Sequence, residues 1–546
     1  MHISGPSVLL RRLIILGLAL LTPVYVLAET PPSTTSDASS ADKEQVSDEK
    51  FDLMELRIKG NTLLKPVLLE RTVYPFLGPG KSIDTVMAAQ KALEDLYHDK
   101  GYQTIVVDIP EQTVDSGIVY LDVLEGKVSR LRVTGARFFS MNKIKAGVPE
   151  IAEGKSPNFT VMQQQLADIS GQSEDRKINP VLRPGDKPGT LEVDLDVKDE
   201  LPLHGRVELN GRNTASTSLL RLVSTIHYDN LWQRLHSASL TYQVSPENSD
   251  EVDVWVGTYS MPLFDNLSKL SFYGVGSSSN AQVSSGGAIS VVGVGDIYGL
   301  RFARTLPGFD NYSHNLTLGV DYKNFTETLN LDIKKVINTP LDYTPFSIQY
   351  GGTYADNKLQ AGFNAGLNFA LRGMGNDPEE FEDKRGDAKP NYAYLTLGAN
   401  GSYLLPEDFV VSGRISGQAA DSPLISNEQF SMGGMQSVRG YFETQVLADD
   451  GFTGSVEILS PRLAPLTMDY INKLQALLFV DGGLGWNQKA LDGNPKSFSL
   501  ASAGMGVRFQ VWKYFSGTLD LGIPLLDANE VKAGDPKLHF LVASEF

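Results

Sequence analysis

The stretch QFSMGGMQSVRGY, Gln429 to Tyr441, decides the fold once it is set beside LFVDGG, Leu478 to Gly483. The first is a Gly-rich loop with one arginine, Arg439, followed by Gly440 and Tyr441. The second is an apolar run of strand character interrupted by a single carboxylate, Asp481. A lone charge inside a strand is costly unless it faces a polar lumen or meets an opposite charge. The pair therefore predicts a loop folded back into a polar channel and pinned to its wall, which describes a conduit rather than an enzyme.

The ends and the composition point the same way. Arg11 and Arg12 precede an apolar run from Leu13 to Ala28, with Val26-Leu27-Ala28 where cleavage needs small residues, so residues 1–28 read as a signal peptide. Pro23 interrupts this run, and beyond it no stretch approaches the roughly 20 apolar residues of a membrane helix. The net charge is −17, and losing residues 1–28 removes two arginines and no acid, which leaves the mature chain near −19. Such acidity excludes a nucleic-acid partner, which demands clustered cations. With no cysteine there is no disulfide or thiolate site, and with 51 glycines and 21 tyrosines an exported chain fits an outer-membrane β-barrel.

Residues 29–50 (ETPPSTTSDASSADKEQVSDEK) are polar and predict a disordered linker. Residues 51–199 predict two small α+β modules, 51–126 and 127–199. In the first, strand 53–58 leads to a turn at Gly60-Asn61, a short helix 65–74, and a helix 83–100 capped by Ser82 and stopped by Gly101. Strands 103–109 and 117–124 complete it. The second repeats the order: strand 128–134, helices 140–147 and 159–169, strands 176–183 and 190–197 around the turn PGDKPGT, 184–190. A repeated β-α-α-β-β unit resembles the POTRA domain, a periplasmic polypeptide-docking module.

From residue 200 to 546 strict alternation takes over. Leu316, Leu318, Val320 and Tyr322 face away from Thr317, Gly319, Asp321 and Lys323. Segments of about ten such residues fit a transmembrane barrel, but a soluble β-sandwich alternates in the same way, and the connection lengths decide between them. Sixteen antiparallel strands are expected: 203–213, 218–228, 235–245, 252–260, 268–277, 296–304, 313–325, 343–353, 359–370, 392–403, 409–418, 451–461, 474–483, 498–510, 513–523 and 538–546. Short turns at 229–234, 305–311, 354–358 and 404–408 alternate with longer connections, of which 419–450 is the longest and too apolar for a solvated loop. This loop is expected to insert in the lumen, with Val438, Arg439, Gly440 and Tyr441 as its latch and Phe479, Asp481 and Gly483 as the wall partner. The terminal Phe546, on one face with Leu538, Phe540 and Val542, is expected to be the signal read by the barrel-assembly machinery.

VRGY (438–441) with FxDxG (479–483) resembles the POTRA-barrel superfamily of outer-membrane assembly and secretion proteins. LRPGDKPGT (182–190), DNLW (229–232), YSMPLF (259–264), SMGGMQSVRGY (431–441) and ASAGMGVRF (501–509) narrow the resemblance to the ShlB/FhaC/HecB two-partner secretion transporters. The resemblance implies a pore in the bacterial outer membrane with periplasmic POTRA domains that captures an unfolded, β-helical exoprotein of haemolysin or adhesin type and exports it. It implies contact with outer-membrane lipids and the assembly machinery, a monomer, and no cofactor. An insertase that places barrels or lipid-linked cargo in the outer membrane is the alternative.

Enzyme signatures are missing. The seven histidines, 2, 98, 204, 227, 236, 314 and 539, show no metal-site spacing, so no metal is expected. GKS recurs at 80–82 and 154–156, but Pro75 and Pro149 stand where a P-loop needs glycine; Gly293-Val294-Gly295 lacks a third glycine, and no GxSxG occurs. Many relatives carry an N-terminal plug helix; the polar residues 29–50 are unsuited to one, which leaves the inserted loop as the main obstruction. High conductance in planar bilayers is expected, rising further on deletion of residues 425–445; unchanged conductance in that deletion would mean that the loop obstructs nothing.

Overall fold

The computed structural model describes residues 50–546 except 115, 188, 264–266, 279–282, 286–288, 292, 327, 333–334, 339, 375–376, 464–470, 491–494 and 513. The expected signal peptide, all of the linker but Lys50, and with it the expected lack of a plug, lie outside the described residues. The chain divides into two compact units, one ending at Glu200 and one beginning at Leu201.

The first unit opens with β1 (Phe51–Leu53), β2 (Glu55–Lys59), α1 (Pro66–Val73), β3 (Gly78–Lys81), α2 (Ile83–Asp99), β4 (Val106–Asp108) and β5 (Ile118–Leu124). The sheet runs β2-β5-β4, with β5 parallel to β2 and antiparallel to β4. Helix α2 buries Val86, Ala89, Leu93 and Tyr97, three to four residues apart and hence on one face, in a core with Val107, Val119, Leu121 and Val123. Ser82 occupies the N-cap position, yet its side chain makes no capping bond; Gly101, at φ 92°, does end the helix. The Tyr97 hydroxyl donates to Asn61 Oδ1 at 2.7 Å, and burial, helped by the Glu125 charge, pushes it up to about 12, so this donor keeps its proton. Strand β3 was not expected, because Gly-Pro-Gly-Lys reads as loop; it pairs with β1.

The second module repeats the plan with β6 (Lys127–Thr134), α3 (Met141–Ala146), α4 (Phe159–Gly171), β7 (Arg176–Pro184) and β8 (Thr190–Asp199). Its sheet runs β6-β8-β7, which leaves β7 as an edge. Here the cap is made by a side chain: Asn158 Oδ1 accepts from the N–H groups of Thr160 and Val161.

The second unit is a closed antiparallel barrel of sixteen strands. They are β9 (Leu203–Asn210), β10 (Arg221–Leu231), β11 (His236–Val244), β12 (Asp253–Pro262), β13 (Ser268–Ser277), β14 (Gly295–Phe309), β15 (Tyr312–Phe325), β16 (Leu341–Tyr343 and Pro345–Ala355), β17 (Leu359–Ala370), β18 (Ala393–Leu404) and β19 (Val410–Ala420). After an inserted hairpin of β20 (Phe430–Met432) and β21 (Val446–Ala448) come β22 (Asp450–Leu459), β23 (Ile471–Trp486), β24 (Ser497–Val511), β25 (Phe515–Pro524) and β26 (Lys537–Glu545). Among the described residues no helix is long and apolar enough to cross a membrane. The strands carry the apolar surface instead: on β23, Leu478 and Val480 are 57% and 59% exposed, while Leu477, Phe479 and Asp481 between and beside them are buried. Outward Ile226, Leu240, Phe272, Leu318, Ile415 and Met505 continue that band around the wall, a surface suited to lipid.

Two boundaries differ from expectation for physical reasons. The first two strands end at Asn210 and begin at Arg221, because the chain between them leaves the wall to meet the inserted loop: Glu443 N–H donates to Asn213 O at 3.0 Å, and Arg212 pairs with Glu443. At the opposite end the turn expected over 305–311 shrinks to Asp310-Asn311, since backbone pairing continues past the point where apolar alternation fades.

The barrel closes between β26 and β9, from Leu541 opposite Asn210 to Glu545 opposite Arg206. Phe546 extends the seam by exchanging backbone bonds with Gly205 at 2.9 and 3.0 Å. Its ring covers Gly205 so closely that a Cβ there would overlap it. Gly205→Val should therefore lower the folded, heat-modifiable fraction several-fold in unboiled gels; an unchanged fraction would show that this ring contact is dispensable.

Candidate functional site

The loop between β19 and β22 is a hairpin whose stem pairs Phe430 with Ala448 and Met432 with Val446. At its tip Gly433 and Gly434 (φ 102° each) and Gly440 (φ 90°) take backbone conformations that other residues avoid. The doubled-back tip is held by Gly433 N–H to Ser437 Oγ (2.8 Å) and Gly434 N–H to Val438 O (3.1 Å).

The hairpin lies against the inner wall. Met432, Val438, Tyr441, Val446 and Ala448 pack with Leu500 of β24 and Val531 beyond β25. Where they touch, the wall is glycine. A Cβ on Gly483 would stand 3.3 Å from Val438 Cγ2, and one on Gly522 would stand 2.5 Å from the Gly440 nitrogen and 2.9 Å from the Arg439 carbonyl carbon.

Arg439 is 1% exposed. Its Nε and Nη2 fork onto Asp481 at 2.7 and 2.8 Å, and its backbone N–H adds a third bond to the same carboxylate at 3.0 Å. Nη1 reaches Asp520 Oδ2 at 3.3 Å; Nη2 also lies 2.8 Å from Glu457 Oε1 and 3.2 Å from Ser455 Oγ. The guanidinium carbon stands 3.4 Å from the centre of the Phe479 ring, a cation–π contact. Asp520 is in turn forked by Arg508. Strand register sets this out in rows. Arg414, Ser455, Asp481 and Ser502 stand opposite one another across four strands, and Glu457, Phe479, Gly504 and Gly522 form the adjoining row. Such a buried charge is tolerable only with nearly every donor satisfied, and a planar five-donor fork does this where an ammonium would not.

The neighbours of Arg439 finish the dock. Gly440 N–H donates to His539 Nε2 at 2.9 Å, and the single Tyr441 hydroxyl proton is shared between the carbonyls of Leu526 (2.8 Å) and Ala501 (3.0 Å). Two more carboxylates hold the hairpin's base. Glu428 accepts from Lys323 Nζ and Tyr343 (2.5 Å each) and from Tyr394 (2.8 Å). Asp449 is forked by Arg385 and accepts backbone N–H from Leu424 and Gln488. Beside the dock a cavity of about 300 Å³ remains, lined by Asn364, Thr396, Asn400, Arg414 and Ser437 among others.

The family model described as haemolysin secretion/activation protein ShlB/FhaC/HecB matches residues 189–509, and that of the ShlB-type POTRA domain matches residues 51–126. The chain belongs to the ShlB/FhaC/HecB family. It is 24% identical over 526 residues to the outer membrane transporter CdiB of Escherichia coli, covering 91% of this chain and 82% of the relative. With CdiB of Dickeya dadantii (strain 3937) it is 22% identical over 489 residues, covering 87% and 83%. The solved structure of CdiB from Escherichia coli has the same fold, with a TM-score of 0.60, 20% identity and 93% of each chain covered. This ShlB/FhaC/HecB member is thus an outer-membrane transporter of the two-partner secretion type.

Of the residues singled out by sequence, Val438, Arg439, Gly440, Tyr441, Phe479, Asp481 and Gly483 meet in one place. Phe546 stands apart from them on the closing seam. Sequence reasoning missed Ser455, Glu457, Asp520 and His539, as well as Glu428 and Asp449. A signal for one existed: Asp520-Leu521-Gly522 repeats the Asp-x-Gly of Asp481-Gly482-Gly483, an inward carboxylate followed by an inward glycine. Gly522→Ala should displace Gly440 and loosen the dock, raising single-channel conductance or its flicker without lowering barrel yield; an unaltered conductance trace would mean that the tip adjusts.

Proposed function

We propose that the Arg439–Asp481 pair is a latch that seats the hairpin in the lumen, and that export of an unfolded exoprotein requires both this seating and its release as the cargo passes. The observation that carries this is the burial of Arg439 at the end of a hairpin, bonded to three wall carboxylates. In this reading the POTRA modules capture a β-rich segment of the cargo, a haemolysin- or adhesin-like β-helical chain, by adding it to an exposed sheet edge such as β7. The cargo then threads the barrel and folds outside, which prevents its return. The protein works as a monomer with lipid on its outer band, carries no catalytic activity and needs no cofactor. Its Phe546 serves as the assembly signal.

Removing one partner of a buried pair costs about 3–5 kcal/mol. Arg439→Ala and Asp481→Ala should each reduce export roughly tenfold or more while the barrel remains inserted. Normal secretion by both variants, measured as surface exoprotein in the native host, would refute the latch. A disulfide gives the complementary test, because the chain has no other cysteine. Val438→Cys with Gly483→Cys should stop export when oxidised and restore it on reduction. Binding of the periplasmic region to C-terminal barrel strands, with none to exoprotein segments, would favour an insertase.

A further inference from the structure

We propose that the turn-side mouth of the barrel holds a divalent transition-metal site made by His204, His227 and Asp229. In sequence these histidines show no ligand spacing. Strand pairing supplies it, because His227 on β10 stands directly opposite His204 on β9. Their rings stack with centroids 4.8 Å apart and planes 27° from parallel. Asp229, two residues on and therefore on the same face, brings Oδ2 within 3.2 Å of His227 Nε2 and 3.9 Å of His204 Nε2. One ligand atom from each residue can be chosen so that all three lie within 4.8 Å of one another.

That spacing suits a metal. Imidazole and carboxylate ligands bind zinc at about 2.0–2.2 Å, so neighbouring corners of a tetrahedron are about 3.3 Å apart. One edge of the triangle already has that length, and small side-chain rotations would shorten the others. Two neutral imidazoles with one carboxylate suit zinc, nickel or copper rather than magnesium or calcium, which prefer all-oxygen shells. The side chains are 36–40% exposed, which leaves a fourth position for water and a path of entry.

The cluster faces the lumen. Leu203, Val207 and Ile226 alternate with it on the outward, exposed face. Arg206, the next inward residue of β9, pairs with Glu545 across the closing seam. A bound ion would therefore cross-link β9 and β10 beside the point where the barrel closes. That is a structural role, distinct from the Arg439 dock.

The test uses the full mature chain in detergent, carrying a tag without histidine and stripped with EDTA. Cobalt(II) is titrated while its visible d–d absorption is followed, and zinc is titrated by calorimetry. One ion per chain is expected. His204→Ala and His227→Ala should each weaken binding at least tenfold, and Asp229→Asn should weaken it less. His236→Ala should leave it unchanged, since that ring is engaged with the Tyr259 hydroxyl at 2.5 Å. Zinc should also raise the temperature at which the folded gel band is lost, in the wild type but not in His227→Ala. If that variant does not fold, His227→Gln serves in its place. No saturable binding, or binding that survives in the His204→Ala/His227→Ala double variant, would overturn the proposal.

Discussion

A guanidinium buried inside a barrel dictates much of what surrounds it. Moving such a charge out of water costs several kcal/mol even after relaxation, and the return comes only from well-placed opposite charge. Asp481, Asp520 and Glu457 supply that charge from three strands, and the Phe479 ring closes the remaining face. Their positions require the strands to pair in one register, since a one-residue slip would turn each of them outward to lipid. Thus a single side chain of the loop makes demands on β22, β23 and β25 together.

The dock is divided into separate holds. The tip is fixed by Arg439, Gly440 and Tyr441, whereas the base of the hairpin is fixed by Glu428 and Asp449, which bond to β15, β16, β18 and the segment carrying Arg385. Breaking the tip contacts leaves those at the base intact. Local opening takes place where few contacts must be lost together, so in the proposed release the tip can part from the wall while the base contacts are still made.

The parts of the fold that follow from short-range chemistry were legible in the sequence. Alternation on strands such as β15, apolar spacing on α2 and the glycine after it placed the elements and the strand count. The Arg439–Asp481 encounter was legible because both charges stand out against apolar or glycine-rich surroundings. Ser455, Glu457 and His539 were not, because an inward polar residue on a barrel strand is unremarkable until register brings it to a partner. The same holds for His204 and His227, which are neighbours only through pairing. Arg212 and Asn213 look like a strand continuing from β9; a loop more than two hundred residues away draws them off the wall.

The glycines of the wall have a second meaning. With the hairpin seated, Gly483, Gly485 and Gly522 receive Val438, Met432 and the Arg439–Gly440 backbone. Were the hairpin to lift, the same positions would form patches of bare main chain on the inside of β23 and β25, set between the carboxylates of Asp481, Asp520 and Glu457. A surface shaped to fit one particular loop would then offer, in its absence, main-chain groups that any polypeptide can meet beside carboxylates that favour a passing cation.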